Sequence, residues 1–272
     1  MNIVHTIEDL RRTVDGWRAK GETLALVPTM GALHAGHLSL VDVARHHGDR
    51  VIATLFVNPK QFGADEDLAT YPRDKDGDAA KLTNAGVDLL YAPSVDVMYP
   101  EGDAMTVSVP GLGDILEGEH RPGFFTGVAT VVAKLLTQVT PDVAVFGEKD
   151  YQQLLVIKRM VADLGLPVRI VSGKTVREAD GLALSSRNAY LSKSERAIAP
   201  SLHRALMDVA TARATESQAT EALLAAGFAS VDYLTLRDSE TLAPVDASHT
   251  GPKRVLAAAR LGTTRLIDNA AV

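Results

Sequence analysis

The chain has 272 residues, 46% of them hydrophobic and 23% charged, and a formal net charge of −6. This composition excludes a disordered or fibrous chain, and the length predicts two domains because domains commonly hold about 100–200 residues. The acidic balance leaves no basic stripe for a nucleic-acid partner, and the absence of cysteine excludes disulfides, zinc-thiolate sites and thiol nucleophiles.

The N-terminal stretch "MNIVHTIEDL" has no basic region followed by an apolar core, so it does not resemble a signal peptide. No apolar run approaches the roughly 20 residues that a transmembrane helix needs. We therefore expect a cytoplasmic protein without a membrane partner.

The first part of the chain alternates between helices and apolar strands. Thr6 caps a predicted helix that ends at Gly21, and the apolar segment 23–29 follows as a strand. Further helices are predicted at 36–48, 76–86, 126–139 and 151–165, with strands at 50–58, 87–93, 142–147 and 167–173. Strands that are apolar throughout and separated by helices predict an α/β fold with a doubly wound, Rossmann-like parallel sheet.

The pattern changes near Lys174. A polar, irregular segment follows, then one long predicted helix over 194–213 and two mixed segments at 228–238 and 253–268. We therefore predict a Rossmann-like domain over residues 1–175 and a smaller α+β domain over residues 176–272.

The segment "PTMGALHAGH" lies where the strand 23–29 gives way to a helix. Ligands of open α/β sheets bind at this end of the strands. Gly31 and Gly36 let the backbone approach a ligand, and the helix start offers amides and a positive dipole end to a phosphate. His34 and His37 are spaced to face the same anion and to stabilise charge on it without a nucleophile. The alternative is a pair of surface histidines beside a simple glycine turn.

Two other segments follow predicted strands or lie near the domain junction. "FGEKDYQQL" offers Lys149 to a phosphate, Asp150 to a ribose hydroxyl and Gln153 to polar groups of a substrate, although a charged helix cap is sufficient to explain it. "ALSSRN" combines hydroxyls with the Arg187 guanidinium, which suits a polyphosphate; a polar turn capped by Asn188 is the alternative.

Several common nucleotide motifs are absent from the sequence. There is no G-x-x-x-x-G-K-[ST] loop and no G-x-S-x-G elbow, and "GLGDIL" at Gly111 lacks the last glycine of the dinucleotide pattern. His46 and His47 lie at the far end of the helix that follows His37, where they complement its dipole rather than bind a metal.

Taken together and in order, six segments are far more specific than any one of them. "TMGALHAGH", "FVNPKQFG", "YPRD", "RPGFFTGV", "FGEKDYQQL" and "TVREADGLALSSRN" resemble the pantothenate synthetase family, the AMP-forming pantoate:beta-alanine ligases. The resemblance extends from about Thr6 to Leu191 and more loosely beyond. His34-Ala-Gly-His37 resembles the H-x-G-H signature of the nucleotidyltransferase superfamily that includes class I aminoacyl-tRNA synthetases.

The resemblance implies a set of site residues. Gln61 and Gln153 would hold pantoate, with Gln61 also near beta-alanine, and His37 would assist charge movement at the α-phosphate, with His34, Lys149 and Arg187 as the other catalytic candidates. ATP would contact Met30, Gly31, Ala32, Leu33, His34, Ala35, Gly36, His37, Gly147, Glu148, Lys149, Asp150, Val176, Leu184, Ser185, Ser186 and Arg187.

One segment departs from the family pattern. Arg121 begins a motif that reads R-P-x-H-F in the family, and the resemblance implies that it lies near the intermediate or the moving loop. Phe124 stands where the family usually has histidine. We assign no polar role to this position.

The resemblance implies a two-step reaction through pantoyl adenylate, with release of pyrophosphate and then AMP, in a cytoplasmic homodimer that uses Mg²⁺. Because neither step needs a protein nucleophile, positioning and electrostatic stabilisation would carry most of the catalysis. We expect the segment 179–188 of the second domain to close over the nucleotide as a lid that excludes water.

Two other functions are compatible with the motifs. One is an adenylyltransferase of the same superfamily, which would have no evident use for Gln61 and Gln153, and the other is a catalytically silent nucleotide-binding regulator. The sequence leaves the base for beta-alanine and the Mg²⁺ ligands open; Asp78 and Asp150 are candidates, but phosphate oxygens and water are sufficient.

Overall fold

The computed structural model describes residues 1–64, 66–246 and 248–272. The chain divides into two compact units, of which the first comprises Met1–Glu148 with Val156–Lys174 and the second Lys149–Leu155 with Thr175–Val272. The segment Lys149–Leu155, which directly follows the fifth strand, therefore packs with the second unit. None of the helices in the described ranges combines the length and the apolar character that crossing a membrane requires.

The first part of the chain alternates between strands and helices as predicted. The elements are β1 (Asn2–Val4), α1 (Ile7–Arg18), β2 (Leu24–Thr29), α2 (Ala35–Arg45), β3 (Arg50–Leu55), α3 (Lys75–Asn84), β4 (Leu89–Tyr91), α4 (Val95–Met98), α5 (Glu117–His120), α6 (Phe124–Val139), β5 (Val143–Gly147), α7 (Tyr151–Leu164) and β6 (Arg169–Gly173). Short 3-10 turns cover Pro59–Gln61 and Glu148–Asp150.

The six strands form one parallel sheet in the order β1-β4-β3-β2-β5-β6. The chain winds from β2 toward β3 on one side and later crosses to β5 and β6 on the other, so the topological switch point lies between β2 and β5. Ligands of doubly wound sheets bind beyond the carboxyl ends of the strands at this point. The predicted fold class is confirmed.

Burial on both faces explains why these strands are apolar throughout. Side chains of alternate residues point to opposite faces, and Ala25, Val27 and Val51 pack with Val41 of α2 in one core while Leu26 is equally buried on the other face. The long helix α6 is buried along most of its length. Because helices cover both faces of the sheet, the strands have no solvent-facing side on which polar residues would alternate with apolar ones.

The second unit contains a three-stranded antiparallel sheet and three helices. The elements are α8 (Lys193–Ile198), α9 (Ser201–Ala210), α10 (Glu216–Ala226), β7 (Ser230–Asp238), β8 (Lys253–Leu261) and β9 (Thr264–Ala271), with a 3-10 turn at Ser186–Tyr190. The sheet has the order β7-β8-β9. Its core joins Leu202 and Leu206 of α9 to Leu223 of α10 and to Val255 and Ala257 of β8.

The prediction of one long helix over 194–213 is wrong. The segment forms α8 and α9, and Pro200 stands at the N-cap of the second helix. Proline has no backbone N–H to donate and its ring collides with the preceding turn, so it starts a helix more readily than it continues one. The helix α10 and the strand β1 were also missed by the sequence analysis.

Candidate active site

The loop that follows β2 is held by one buried carboxylate. Asp78 of α3 is 1% exposed, and its two oxygens accept the backbone N–H groups of Ala32 at 2.8 Å and Leu33 at 2.9 Å. Gly31 and Ala32 both have positive φ angles, of 92° and 52°. This conformation is strained for a residue with a side chain, and the two charge-assisted hydrogen bonds from the loop to Asp78 stabilise it.

His34 and His37 lie side by side at the start of α2. His34 is the N-cap, where its Nδ1 accepts the Gly36 N–H at 3.1 Å, and His37 Nδ1 lies 3.4 Å from the His34 N–H. The ring centroids are 4.2 Å apart. Because each Nδ1 acts as an acceptor, the proton of a neutral ring is placed on Nε2. Of the amides at this helix start, which we expected to be available to a phosphate, that of Gly36 is used by the His34 cap.

The side chain of Gln61 is buried and held by contacts with Asn58 and Met30. Its side chain is 8% exposed; Oε1 accepts from Asn58 Nδ2 at 3.0 Å, and Nε2 lies 3.0 Å from Met30 Sδ. Asn58 is itself buried and accepts from the Tyr99 hydroxyl at 2.7 Å. Burial and the nearby Asp103 raise the pKa of Tyr99, so its hydroxyl stays a donor. The predicted substrate residue Gln61 therefore contacts Met30 of the predicted ATP loop.

Helix α6 packs against the backbone of the Gln61 turn. Asn58 Nδ2 also donates to the Gly127 carbonyl at 3.1 Å. A Cβ atom at Gly127 would lie only 2.1 Å from the Lys60 carbonyl oxygen and 2.8 Å from the Gln61 nitrogen. Only glycine allows this close approach of helix and turn.

Arg121 connects the segment before α6 to the same turn. Its guanidinium forms a bidentate pair with Glu66, at 2.7 and 2.6 Å, and donates to the Gln61 carbonyl at 3.3 Å. The Phe124 ring lies under this guanidinium, with 3.6 Å between Arg121 Cζ and the ring centroid. Phe124, the departure from the family pattern, thus supplies an aromatic face to a cation.

The end of β5 carries the second predicted segment. Gly147 is the last residue of the strand, and Glu148 Oε1 accepts from Ser172 of β6 at 2.9 Å. Lys149 and Asp150 follow in the 3-10 turn that begins the second unit, with 3.9 Å between Lys149 Nζ and the Asp150 carboxylate. Gln153 lies in the first turn of α7.

The third predicted segment belongs to a short hairpin of the second unit. Leu184 N–H donates to the Val176 carbonyl at 3.0 Å, and Ser185 caps the following 3-10 turn by accepting from the Arg187 N–H at 3.3 Å. Ser186 and Arg187 form the first residues of that turn. Asn188 lies inside the turn and donates to the Ala183 carbonyl at 3.0 Å, so the cap is Ser185 and not, as the polar-turn alternative expected, Asn188.

A cavity of about 250 Å³ opens within the first unit. It is lined by residues that follow β2, β3 and β4, among them Met30, Val57 and Ser94, and by the buried Asp78. Its charged lining includes Arg73 and Lys75. The cavity thus lies beyond the carboxyl ends of β2, β3 and β4, to one side of the switch point between β2 and β5.

The described side chains do not include a group of three or more histidine, cysteine, aspartate or glutamate residues that could hold a metal ion. Of the two candidates from the sequence, Asp78 uses both oxygens for backbone N–H groups of the loop. Asp150 is partly exposed and lies beside Lys149.

Sequence reasoning missed the residues that support the site rather than line it. Asp78 was considered only as a metal ligand, and Asn58 and Gly127 were quoted within motifs without a role. A buried asparagine one residue before the Pro59–Gln61 turn is a capping signal, but its second contact, to Gly127, depends on tertiary packing.

Comparisons with known proteins agree over the whole chain. The sequence model of the pantoate-beta-alanine ligase family matches residues 2–271. A pantothenate synthetase from Rhodospirillum rubrum is 57% identical in an alignment 277 residues long. The alignment covers 99% of this chain and 98% of the relative.

Two solved structures are also similar. The crystal structure of pantothenate synthetase from Thermus thermophilus has a TM-score of 0.91 and 49% identity, with 99% of each chain covered. A pantoate-beta-alanine ligase from Francisella tularensis, solved with beta-gamma ATP and beta-alanine, has a TM-score of 0.85 and 33% identity and covers 100% of this chain and 97% of its own.

Proposed function

The chain belongs to the pantoate-beta-alanine ligase family, and from this premise we propose that it condenses pantoate with beta-alanine at the expense of ATP. The products are pantothenate, AMP and pyrophosphate. The observation that carries the proposal is the contact between Gln61, the predicted pantoate residue, and Met30 of the predicted ATP loop, because it brings the residue proposed for the acceptor next to the loop proposed for the nucleotide.

In the first step a carboxylate oxygen of pantoate attacks the α-phosphorus of ATP, and the bond to the β-phosphate breaks. Negative charge shifts to the leaving pyrophosphate and the α-phosphate oxygens. We assign the stabilisation of this charge to four groups, namely the Nε2–H groups of His34 and His37 and the cations of Lys149 and Arg187. Such preorganised donors are worth several kcal/mol when they are aimed at a transition state.

In the second step the amine of beta-alanine attacks the carbonyl of the acyl adenylate. The bond between the carbonyl carbon and the AMP oxygen breaks, and the nitrogen loses a proton. Because the free ammonium has a pKa of about 10, as in a lysine side chain, it must lose a further proton before it can attack. Positioning of the amine next to Gln61 is then the contribution of the protein.

The residues proposed to bind ATP follow from the same premise. They comprise the loop 30–37, Gly147 to Asp150 at the end of β5, and Val176 with Leu184 to Arg187 in the hairpin; Gln153 joins Gln61 as a pantoate residue. The geometry supports the proposal in that the loop 30–37, Lys149 and the hairpin each make hydrogen bonds through their own backbone.

We assign Mg²⁺ to the nucleotide and not to a protein site. Both oxygens of Asp78 accept loop N–H groups, and Mg²⁺ in such enzymes is commonly held by substrate phosphates and water. The ion would offset charge on the phosphates when it enters as MgATP.

The test of the proposed function is pyrophosphate release from MgATP with pantoate, measured with and without beta-alanine. We expect pantoate-dependent pyrophosphate in both reactions and the amide product only with beta-alanine. ATP binding without pantoate-dependent pyrophosphate would instead support the regulator, and AMP transfer to a phosphate-bearing acceptor would support the adenylyltransferase.

Lys149 is assigned to the first step. Lys149→Ala should therefore reduce pyrophosphate release much more than the reaction of preformed pantoyl adenylate with beta-alanine. An equal loss in the two half-reactions would contradict this assignment.

The lid role of residues 176–272 is a separate part of the proposal. The acyl adenylate hydrolyses if water reaches it, so replacing Ser185 and Ser186 by glycine should raise AMP release in the absence of beta-alanine. Unchanged partitioning between hydrolysis and amide formation would count against a lid.

A homodimer and a cytoplasmic location complete the proposal, as the family resemblance implies. Light scattering coupled to gel filtration measures the first, and fractionation of cells that express the chain measures the second. A monomeric mass, or activity found outside the cytoplasmic fraction, would exclude the corresponding statement.

A further inference from the structure

Two neighbouring polar residues of β9 are buried in the second unit. Asp268 and Asn269 are each 4% exposed. Neighbouring residues of a strand point to opposite faces of the sheet, so the two side chains contact different parts of the unit. Burying a charged or amide group costs free energy unless the group is hydrogen-bonded. The hydrogen-bond partners of Asp268 and Asn269 therefore show what each side chain holds in place.

Asp268 holds the hairpin that precedes Ser185. Its carboxylate forms a bidentate pair with Arg177, at 2.6 and 2.9 Å, and also accepts the Asn269 N–H at 2.7 Å. The same guanidinium donates to the Gly181 carbonyl at 3.1 Å in the turn of the hairpin. Arg177 pairs with Ala183 across the hairpin, so Asp268 fixes both the turn and the strands that lead to the segment Ser185–Arg187.

The surroundings of Asp268 keep it charged. Burial acts most strongly on its pKa and would raise it, but the His203 ring and the Arg177 guanidinium more than offset burial and lower the pKa below its usual range. His203 Nδ1 lies 3.6 Å from the carboxylate. A permanent carboxylate is the better partner for a guanidinium that must hold one orientation.

Asn269 holds the segment that carries Lys149. Its Nδ2 donates to the Lys149 carbonyl at 2.9 Å, and its Oδ1 accepts from Arg254. The Arg254 guanidinium also lies over the Tyr151 ring, with 3.7 Å between Cζ and the ring centroid. The backbone of Lys149 and the first residue of α7 are therefore both attached to β8 and β9.

We propose that Asp268 and Asn269 are positioning residues that set Lys149 and the Ser185–Arg187 segment in one fixed arrangement for the phosphates of ATP. The inference rests on the proposed function, since it assigns both segments to the nucleotide. In this proposal neither Asp268 nor Asn269 touches a reacting atom. Each acts through the backbone of a segment that presents a cation. Two adjacent residues of one strand thereby control two segments that lie far apart in the sequence.

Asn269→Asp is the sharpest test of the Lys149 contact. The substitution keeps an oxygen for Arg254 but replaces the donor to the Lys149 carbonyl by a second acceptor, so the contact with that carbonyl becomes repulsive. Loss of one such bond predicts a rise of about fivefold or more in the Kd for MgATP, measured by calorimetry without pantoate. An unchanged Kd in the folded variant would overturn the proposal.

Asp268→Asn tests the hairpin contact, and Asp232→Asn is its matched control. Asp232 pairs with Arg265 in the same sheet at 2.7 Å and is largely buried, but it holds neither of the two segments. We expect the control to leave the Kd for MgATP unchanged and Asp268→Asn to raise it. Equal effects of the two substitutions would show a general weakening of the sheet and would overturn the proposal.

A double-mutant cycle separates positioning from folding. In a Lys149→Ala background the carbonyl contact no longer serves a cation, so adding Asn269→Asp should change the Kd by less than about twofold. The full effect in that background would overturn the proposal. If Asn269→Asp does not fold, Asn269→Ser removes the same contact without adding a charge, and the same two outcomes apply.

The binding readout also keeps this inference distinct from the proposed function. MgATP binding does not require pantoate or turnover. A wild-type chain that binds MgATP but releases no pantoate-dependent pyrophosphate would contradict the proposed function alone, whereas variants with wild-type affinity would contradict the positioning role alone.

Discussion

Asp78 shows how a single buried side chain can determine the shape of the predicted ATP loop. Its two oxygens accept the N–H groups of Ala32 and Leu33, and Lys81 Nζ lies 3.5 Å from one of them. The carboxylate thus offsets the strain of a loop in which Ala32 has a positive φ angle.

Asp78→Asn should therefore lower both stability and adenylate formation. An amide can accept only one of the two loop N–H groups well, and leaving a buried donor unpaired costs about 1–3 kcal/mol. We expect this loss in the free energy of unfolding and at least a roughly tenfold fall in pantoate-dependent pyrophosphate release. Asp76→Asn, on the exposed face of the same helix, is the control; equal effects of both changes would refute a specific role for Asp78.

Phe124 contributes through its ring face rather than a polar group. A contact between a cation and an aromatic ring is worth about 0.5–2 kcal/mol, depending on exposure. Phe124→Leu should loosen Arg121 and, through the Gln61 carbonyl, raise the KM for pantoate by about threefold or more, whereas Phe124→Tyr keeps the face and should not. The test is the KM for pantoate of both variants. An unaltered KM in Phe124→Leu would exclude a role of the Phe124 ring in holding Arg121.

At the scale of secondary-structure elements, the close contact between α6 and the Pro59–Gln61 turn matters most. The helix carries glycine where it crosses the turn, and Asn58 connects the two by a hydrogen bond to Gly127. The position of Gln61 is therefore set by how a helix packs on a turn, in addition to the side chains around it.

Gly127→Ala should impair the site although alanine favours helices. The added Cβ would meet the Lys60 carbonyl at 2.1 Å, so the turn must shift, and overpacking of this kind costs about 1–3 kcal/mol. Gly16→Ala in α1 is the matched control, because a Cβ there meets nothing within 4 Å and should stabilise the chain by up to about 1 kcal/mol.

Urea unfolding and the KM for pantoate measure both variants. The expected result is opposite signs in the free energy of unfolding, with a raised KM only for Gly127→Ala. Stabilisation by both substitutions would mean that the turn moves aside at no cost.

At the scale of the whole molecule, several carboxyl groups have pKa values lowered below their usual range. The nearby His203 ring and the Arg177 guanidinium lower the pKa of Asp268 despite its burial, and hydrogen bonds from Lys134 and Lys60 lower that of Asp103. The pKa values of Asp49 and Asp238 are lowered by hydrogen bonds to threonine residues.

These shifts predict acid destabilisation. A carboxyl whose folded-state pKa is lowered contributes stability above its unfolded pKa of about 4, and this contribution is lost as the pH falls through the folded value. The urea midpoint should therefore stay nearly constant between about pH 7 and 5 and fall below about pH 4, less so in Asp268→Asn than in the wild type. A midpoint that rises on acidification would contradict the direction of the shifts.

The sequence by itself determined the fold class and predicted where the site lies. Strands buried on both faces must be apolar throughout, and their carboxyl ends meet at one edge of a parallel sheet, so the loop at His34 and the end of β5 could be assigned to a ligand before any coordinates were known. The order of six motifs identified the family for the same reason, since each motif occupies a fixed place in the fold.

Only the tertiary structure decided which residues hold those motifs in place. The bonds from Asp78 to the loop at Ala32 and from Asn269 to the Lys149 carbonyl join residues that are distant in the sequence. Such contacts depend on strand register and helix packing, which local patterns do not encode. The physical reason is that a local pattern specifies which face of an element is buried, whereas the partner of a buried polar atom is set by what packs against that face.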